Sequence, residues 1–245
     1  MTHSNPPGWE ASAEAWIADQ GEHGDFGRRY VLDPVMLSRA LAQRPRSALD
    51  VGCGEGRFCR KLSEGDVETT GLDPTHNLIA AARSKHAGGR YVLGRAEELP
   101  FEDDAFELVV SYLSLIDIAD FERAISEMAR VLKPGGALLI ANLTSFSTAG
   151  AERGWVRDAV GRKLHYPIDH YLTPRAVPVS YRGIHITNYH RPLSAYMTQL
   201  LDAGLELTYF DEPHPIASAP EPKATAYRRA PHFLIMEWRR PRPHR

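Results

Sequence analysis

Three glycines, Gly52, Gly54 and Gly56, alternate between an apolar run ending at Val51 and a segment fit to start a helix. Glycine at alternate positions opens positive φ to the backbone and removes the Cβ atoms that would hold a ligand away. Amide N–H groups at the helix start then face an anionic or polar ligand group. Asp73 fits the same ligand. It follows the strand-like run 67–72, 23 positions after Asp50, close to the roughly 20-residue interval between a glycine loop and the carboxylate that meets ribose hydroxyls. A carboxylate suits that task because it accepts two hydrogen bonds at once. The loop reads G-x-G-x-G, not the G-x-G-x-x-G of a nicotinamide site.

The elements that must hold these residues alternate. Residues 48–51, 67–72, 91–93, 106–111 and 137–141 read as strands one to five, with helices at 56–63, 75–86 and 121–132 between them. Leu108, Val109 and Val110 form a continuous apolar run, as expected of a strand buried on both faces. Such alternation predicts a parallel sheet with helices on both faces and ligands at the carboxyl ends of its strands. Gly52 to Gly56, Asp73, Arg95-Ala96-Glu97 and Ser111 all fall at those ends. Ahead of the sheet, residues 9–19 read as a helix with Trp9, Ala13, Trp16 and Ile17 on one face. Asp33-Pro34 reads as an N-cap and first helical position opening a second helix to about Gln43. Residues 142–191 break the alternation, with a helix expected near 155–161 and a strand near 184–187. A long irregular segment above the ligand edge reads as a lid or substrate wall. A helix over 193–203 and strands over 205–210 and 232–238 complete the chain.

The segments LDVGCGEGRF (49–58), GLDPTHNLIAAAR (71–83), GRAEELPFEDDAFELVVS (94–111) and RVLKPGG (130–136) resemble the small-molecule (ubiquinone/menaquinone-type) branch of the class I S-adenosylmethionine-dependent methyltransferases. The resemblance is most specific over about residues 47–141 and looser beyond. It implies a Rossmann-like α/β fold: a seven-stranded, mostly parallel sheet whose last strand adds antiparallel, helices on both faces, and a lid insertion after strand five. Residues 1–45 would supply helices covering the cofactor, 46–141 the cofactor-binding core, 142–191 the lid, and 192–245 the rest of the sheet. S-adenosylmethionine is the implied cofactor. Asp50, Gly52, Cys53, Gly54, Gly56, Asp73, Pro74, Arg95, Ala96, Glu97 and Ser111 are its expected contacts, with Arg29 and Tyr30 placed to touch its methionine end or merely to pack. The family usually carries an acidic residue at position 95 for the adenine amino group, and arginine cannot accept that hydrogen bond. Either the Ala96 and Glu97 backbone reads the adenine, or Arg95 stacks beside it.

Methyl transfer from a sulfonium is an in-line displacement, and most of its acceleration can come from alignment. An oxygen or nitrogen acceptor often also gives up a proton, for which histidine is suited. His190, in a stretch resembling the family's HRPLS-x-Y, is the expected base or acceptor-binding group, with Tyr112, Tyr181 and Tyr196 lining the substrate pocket. The alternative is that His190 caps the following helix. His165/His170 and His185/His190 are each five apart, which does not place two side chains on one helical face, and no metal site is expected. Two other functions remain open: a non-catalytic S-adenosylmethionine-binding sensor or partner subunit, and a nicotinamide-dependent oxidoreductase.

Composition bounds the partners. Lys+Arg 29 against Asp+Glu 31 gives a net charge of −2, no general field for nucleic acid. No apolar run nears the roughly 18 residues that span a bilayer, and residues 1–7 lack the apolar core of a signal peptide. Two cysteines near the glycines read as small packing residues, which fits a reducing cytoplasm. The expected partner is a small-molecule acceptor, with oligomeric state open.

Overall fold

The computed structural model describes residues 8–150 and 154–243, so the expectation for residues 1–7 lies outside it. Helix α1 (Trp9–Gln20) is followed by a π-helical turn (Arg28–Leu32) that runs directly into α2 (Asp33–Ala42). The alternating core comes next: β1 (Ser47–Val51), α3 (Arg57–Ser63), β2 (Glu68–Asp73), α4 (His76–Lys85), β3 (Arg90–Leu93), β4 (Phe106–Tyr112), α5 (Phe121–Val131) and β5 (Leu132–Leu143). The insertion holds α6 (Ser145–Ala149) and two hairpins, β6 (Val156–Arg157) with β7 (Lys163–His165) and β8 (Arg175–Tyr181) with β9 (Ile184–His190). Helix α7 (Leu193–Asp202), β10 (Glu206–Asp211), α8 (Lys223–Arg229) and β11 (Phe233–Arg239) finish the chain.

The seven-stranded sheet has the order β10-β11-β5-β4-β1-β2-β3. Strands β1 to β5 pair in parallel, and β11 lies antiparallel between β5 and β10. Side chains alternate between faces, so each strand feeds two cores. Leu138 and Ile140 join Leu49, Val109, Ile125, Met128, Leu200 and Trp238 on one face. Ala137, Leu139 and Ala141 join Leu108, Val110, Leu32, Met36, Phe58 and Leu62 on the other. Because β1 and β4 are neighbours with β2 outside β1, the loops after these strands open on one edge of the sheet.

Two local readings are corrected. Asp33 does not cap α2, because the π-helical turn enters the helix without a break and Leu32 is already helical. Its carboxylate binds side chains instead. The helix expected over 155–161 is the β6–β7 hairpin. Gly161 takes φ +82°, and Asp158 accepts hydrogen bonds from the backbone N–H groups of Val160 and Arg162, an arrangement that bends the chain back. The strand expected at 184–187 extends to His190 and pairs with β8 across a two-residue turn whose Arg182 and Gly183 both have positive φ.

Candidate active site

The turn after β1 is crimped by its own amides. Gly52 and Cys53 both donate to the Leu72 carbonyl, at 2.7 and 3.0 Å. Gly52 has φ +77°, and a Cβ there would lie 2.3 Å from the Ser114 Cβ, so only glycine lets this turn meet the loop after β4. Ser114 ties the two together by donating to the Val51 carbonyl at 2.5 Å. Gly54 differs. Its φ is +56°, and the nearest atom to an added Cβ is the Trp16 indole nitrogen at 3.6 Å, so that position faces open space. Asp73 stands opposite, its Oδ2 accepting from the Gly54 N–H (3.0 Å) and its Oδ1 from the Thr75 N–H (2.9 Å). Each oxygen keeps a second lone pair for a ligand. Burial raises the Asp73 carboxyl above its ordinary range, and these amide hydrogen bonds oppose the shift.

Between these groups lies a cavity of about 280 Å³. Gly52 and Gly54 form its floor, Asp73, Pro74 and Thr75 one wall, and Arg95, Ala96 and Glu97 the far end. Tyr112 and Asp117 line the side toward the lid, together with Tyr189. The roof is α1, which contributes Trp9 and Trp16, packed edge to face at 5.2 Å. Glu10 holds that roof down by accepting from the His76 and Asn77 N–H groups, serving as a cap for α4 from another helix. Ser12 exchanges hydrogen bonds with the His185 backbone, and Asp19 pairs with Arg182 at 2.5 Å, so α1 is clamped to the β8–β9 hairpin as well.

A smaller cavity of about 50 Å³ adjoins the first and is lined by Asp50, Cys53, Glu55 and Arg57. Asp50 is 2% exposed and its Oδ1 has no hydrogen-bond partner. Burial pushes its carboxyl up to about 7, against the hydrogen bond it accepts from the Cys59 thiol. An orphaned carboxylate oxygen at a small polar cavity suits a cationic ligand group. Arg28 borders both cavities, its guanidinium 4.6 Å over the Trp16 ring and 2.9 Å from Asp25.

The expected site residues divide by position. Asp50, Gly52, Cys53, Gly54, Asp73, Pro74, Arg95, Ala96, Glu97 and Tyr112 border one or both cavities. Arg95 sits at the rim, ion-paired to Glu97 at 2.8 Å and largely exposed. Gly56 and Ser111 lie behind the lining. An added Cβ at Gly56 would strike the Tyr91 ring, and the Ser111 hydroxyl bonds that of Ser114 at 2.8 Å. Arg29 and Tyr30 do not line the cavity; Arg29 lies exposed over the Tyr30 ring, which packs on Phe26. Their neighbour Arg28 takes the inward position. Tyr181 is on the hairpin outside the lining, and Tyr196 is buried against Phe121 and Arg191. Trp9, Trp16, Arg28, Asp117 and Tyr189 line the cavity without having been expected there.

His190 is 0% exposed and does not line the cavity. Its Nε2 donates to the Tyr171 carbonyl at 2.9 Å, which leaves Nδ1 to accept from the Thr148 hydroxyl at 2.7 Å. Burial pushes its pKa down, so the ring is neutral with both nitrogens engaged. His190→Ala is therefore expected to destabilise the fold by about 1–3 kcal/mol, measured by urea unfolding, because it strands buried partners. Cofactor affinity should change less than about threefold, by the same separation of sites. A stable His190→Ala protein whose pH–rate profile loses a limb would instead put the imidazole in the reaction.

A methyltransferase-domain family model matches residues 49–140. The malonyl-[acyl-carrier protein] O-methyltransferase of Pseudescherichia vulneris is 34% identical over 131 residues, 54% of this chain and 51% of that protein. The enzyme of the same name from Salmonella typhimurium is 29% identical over 183 residues, 73% and 71% of the two chains. The chain thus spans about half the length of the first of these relatives. An S-adenosylmethionine dependent methyltransferase of known structure from Mesorhizobium loti superposes with a TM-score of 0.77 at 26% identity, covering 90% of this chain and 100% of that one. Residues 49–140 thus match a methyltransferase domain, and the fold of the chain is that of the S-adenosylmethionine dependent methyltransferase of known structure.

Proposed function

We propose that the protein transfers the methyl group of S-adenosylmethionine to an oxygen of a small-molecule acceptor seated between the loop after β4 and the β8–β9 hairpin. The observation that carries this reading is a single cavity that joins the glycine turn and Asp73 to Asp117 and Tyr189 on the lid side. The cofactor's polar groups find matching residues. Asp50, with its orphaned oxygen, suits the α-ammonium, Arg28 the α-carboxylate, and Asp73 the ribose hydroxyls. Ala96 and Glu97, beside Arg95, suit the adenine edge. When bound, S-adenosylmethionine supplies an electrophilic methyl group on a sulfonium sulfur. The two tryptophans of α1 and the lid exclude water from the reacting region, and alignment of the acceptor by the lid supplies rate. An oxygen acceptor is favoured because both curated relatives carry O-methyltransferase in their names.

The test is release of S-adenosylhomocysteine on addition of malonyl-[acyl-carrier protein], with a malonyl thioester fragment in parallel. Acceptor-dependent release supports the reading. Tight cofactor binding with no release from either acceptor rejects the acceptor class and favours a binding protein. Gly54→Val is a companion check. The added side chain would enter the open floor of the cavity rather than the core, at a strain of about 1–2 kcal/mol for a positive φ. Binding of S-adenosylhomocysteine should disappear from calorimetric titration while the far-ultraviolet circular dichroism stays native. Unchanged affinity would remove this turn from the site.

A further inference from the structure

Asp117 closes a short 3₁₀ turn after β4, and three elements from outside the sheet converge on it. Asn188 of β9 donates its side-chain amide to Asp117 Oδ1. The Trp9 indole of α1 lies near the same carboxylate and pulls its pKa down. Arg28 and Asp73 are the charged groups within electrostatic reach, and Tyr181 on the hairpin is near enough to feel the Asp117 charge. What surface Asp117 keeps accessible borders the main cavity. Its donor Asn188 and the nearby Trp9 indole are both neutral, and Arg28 is already paired with Asp25 at 2.9 Å. Among the described residues, no cation forms an ion pair with it. A carboxylate enclosed in this way is costly to ionise without a matching charge. Burial pushes it up to about 7, while Asn188, Trp9 and Arg28 pull down and Asp73 pushes up.

The cofactor carries a positive charge at sulfur in only one of its two forms. S-adenosylmethionine carries a sulfonium, and the product left after transfer, S-adenosylhomocysteine, carries a neutral thioether. We propose that Asp117 is the residue by which the site tells the two apart, its ionised carboxylate serving as counter-charge to the sulfonium and its protonated form accommodating the thioether. Such a residue favours loading of the methyl donor over retention of the spent product. It rests on the cofactor assignment, not on the identity of the acceptor.

The sign follows from proton linkage. Below about pH 7 the free site holds a proton on Asp117, and binding the sulfonium must expel it. Affinity for the methyl donor should therefore rise with pH and level off above that point. Asp50 also titrates near neutrality, to about 7, and its neighbourhood would take the α-ammonium. That ammonium is common to both ligands, as are the carboxylate and the ribose over Asp73. Their contributions cancel in the ratio of the two affinities, which leaves Asp117.

Calorimetric titration of the full chain with each ligand, from about pH 6 to about pH 8, reads that ratio. It is expected to shift about tenfold toward S-adenosylmethionine across the range, the change in ionised fraction of one group titrating near 7. Asp117→Asn should flatten the ratio, whereas Asp50→Asn should weaken both ligands and leave the ratio rising. A measurement that needs no variant compares heats in buffers of different ionisation enthalpy. Near pH 6 the wild-type protein should release about one proton more per S-adenosylmethionine than per S-adenosylhomocysteine. A flat wild-type ratio, or a rise that survives in Asp117→Asn, overturns the proposal and moves Asp117 to the acceptor. Failure of both ligands to bind overturns the cofactor assignment and this proposal together.

Discussion

Exchanging Asp73 for alanine is expected to weaken S-adenosylhomocysteine binding by at least about a hundredfold, with the sheet intact. Charge-assisted hydrogen bonds contribute roughly 1.5–3 kcal/mol each, and two to a ribose diol are lost together. Every 1.4 kcal/mol is about tenfold in affinity. The substitution also frees the Gly54 and Thr75 amides, which Asp73 holds at 3.0 and 2.9 Å. The glycine turn and the start of α4 are thus positioned by the same carboxylate that is proposed to grip the ribose. Asp73→Asn separates the two tasks, since its one carbonyl oxygen can hold one amide but not the full set. Its loss should fall between wild type and alanine. Calorimetric titration measures the affinities, and circular dichroism confirms the fold. An alanine variant that binds within about threefold of wild type would remove Asp73 from the ribose contact.

How much of this was legible in the sequence depends on where each signal is local. The central strands carry continuous apolar runs at 108–110 and 137–141, and the turn after β1 takes positive φ at all three glycines, so both can be read without knowing what packs on them. Asp73 follows from a spacing that the βαβ unit fixes. Arg28 was hidden by helical phase. Residues 28–32 form a π-helical turn, whose i→i+5 bonding rotates successive side chains differently from the 3.6-residue period, and Arg28 faces inward where Arg29 and Tyr30 were expected. Of the β8–β9 hairpin only part of the second strand was expected; in β8, Pro178 sits in an otherwise regular antiparallel ladder opposite Thr187, where proline ordinarily counts against a strand. Asp117 lies in a run that looks like any polar residue in a turn, Leu115-Ile116-Asp117-Ile118. Only the arrival of Asn188, 71 positions later, and of the α1 roof makes it a site residue. His190 was read from a resemblance that carries residue type but not direction. Its ring turns to Thr148 and Tyr171, within the lid.

Asp33→Ala is expected to be the most destabilising single substitution near the site, by about 3–5 kcal/mol. The Arg57 guanidinium donates to both Asp33 oxygens, at 2.7 and 2.9 Å, and the two side chains are 8% and 10% exposed. The Tyr112 hydroxyl donates to Asp33 as well, at 2.7 Å. Removing the carboxylate leaves a buried guanidinium without its anion, and Lys61, 3.9 Å from Asp33, supplies only more positive charge. A typical domain has about 5–15 kcal/mol of net stability, so the loss is a large share of it. The effect should reach the cavity too, because Tyr112 lines it and Arg57 borders the Asp50 pocket. Most of the cost is the stranded charge and not the lost attraction, which gives the prediction a second arm. Asp33→Ala combined with Arg57→Met should recover more than half of the stability by replacing the ion with apolar contact. Urea unfolding of the two single variants and the double variant measures both arms. If Asp33→Ala costs less than about 1 kcal/mol, or if the double variant is worse than the sum of the singles, the pair does not hold α2 against α3 in the way the geometry implies.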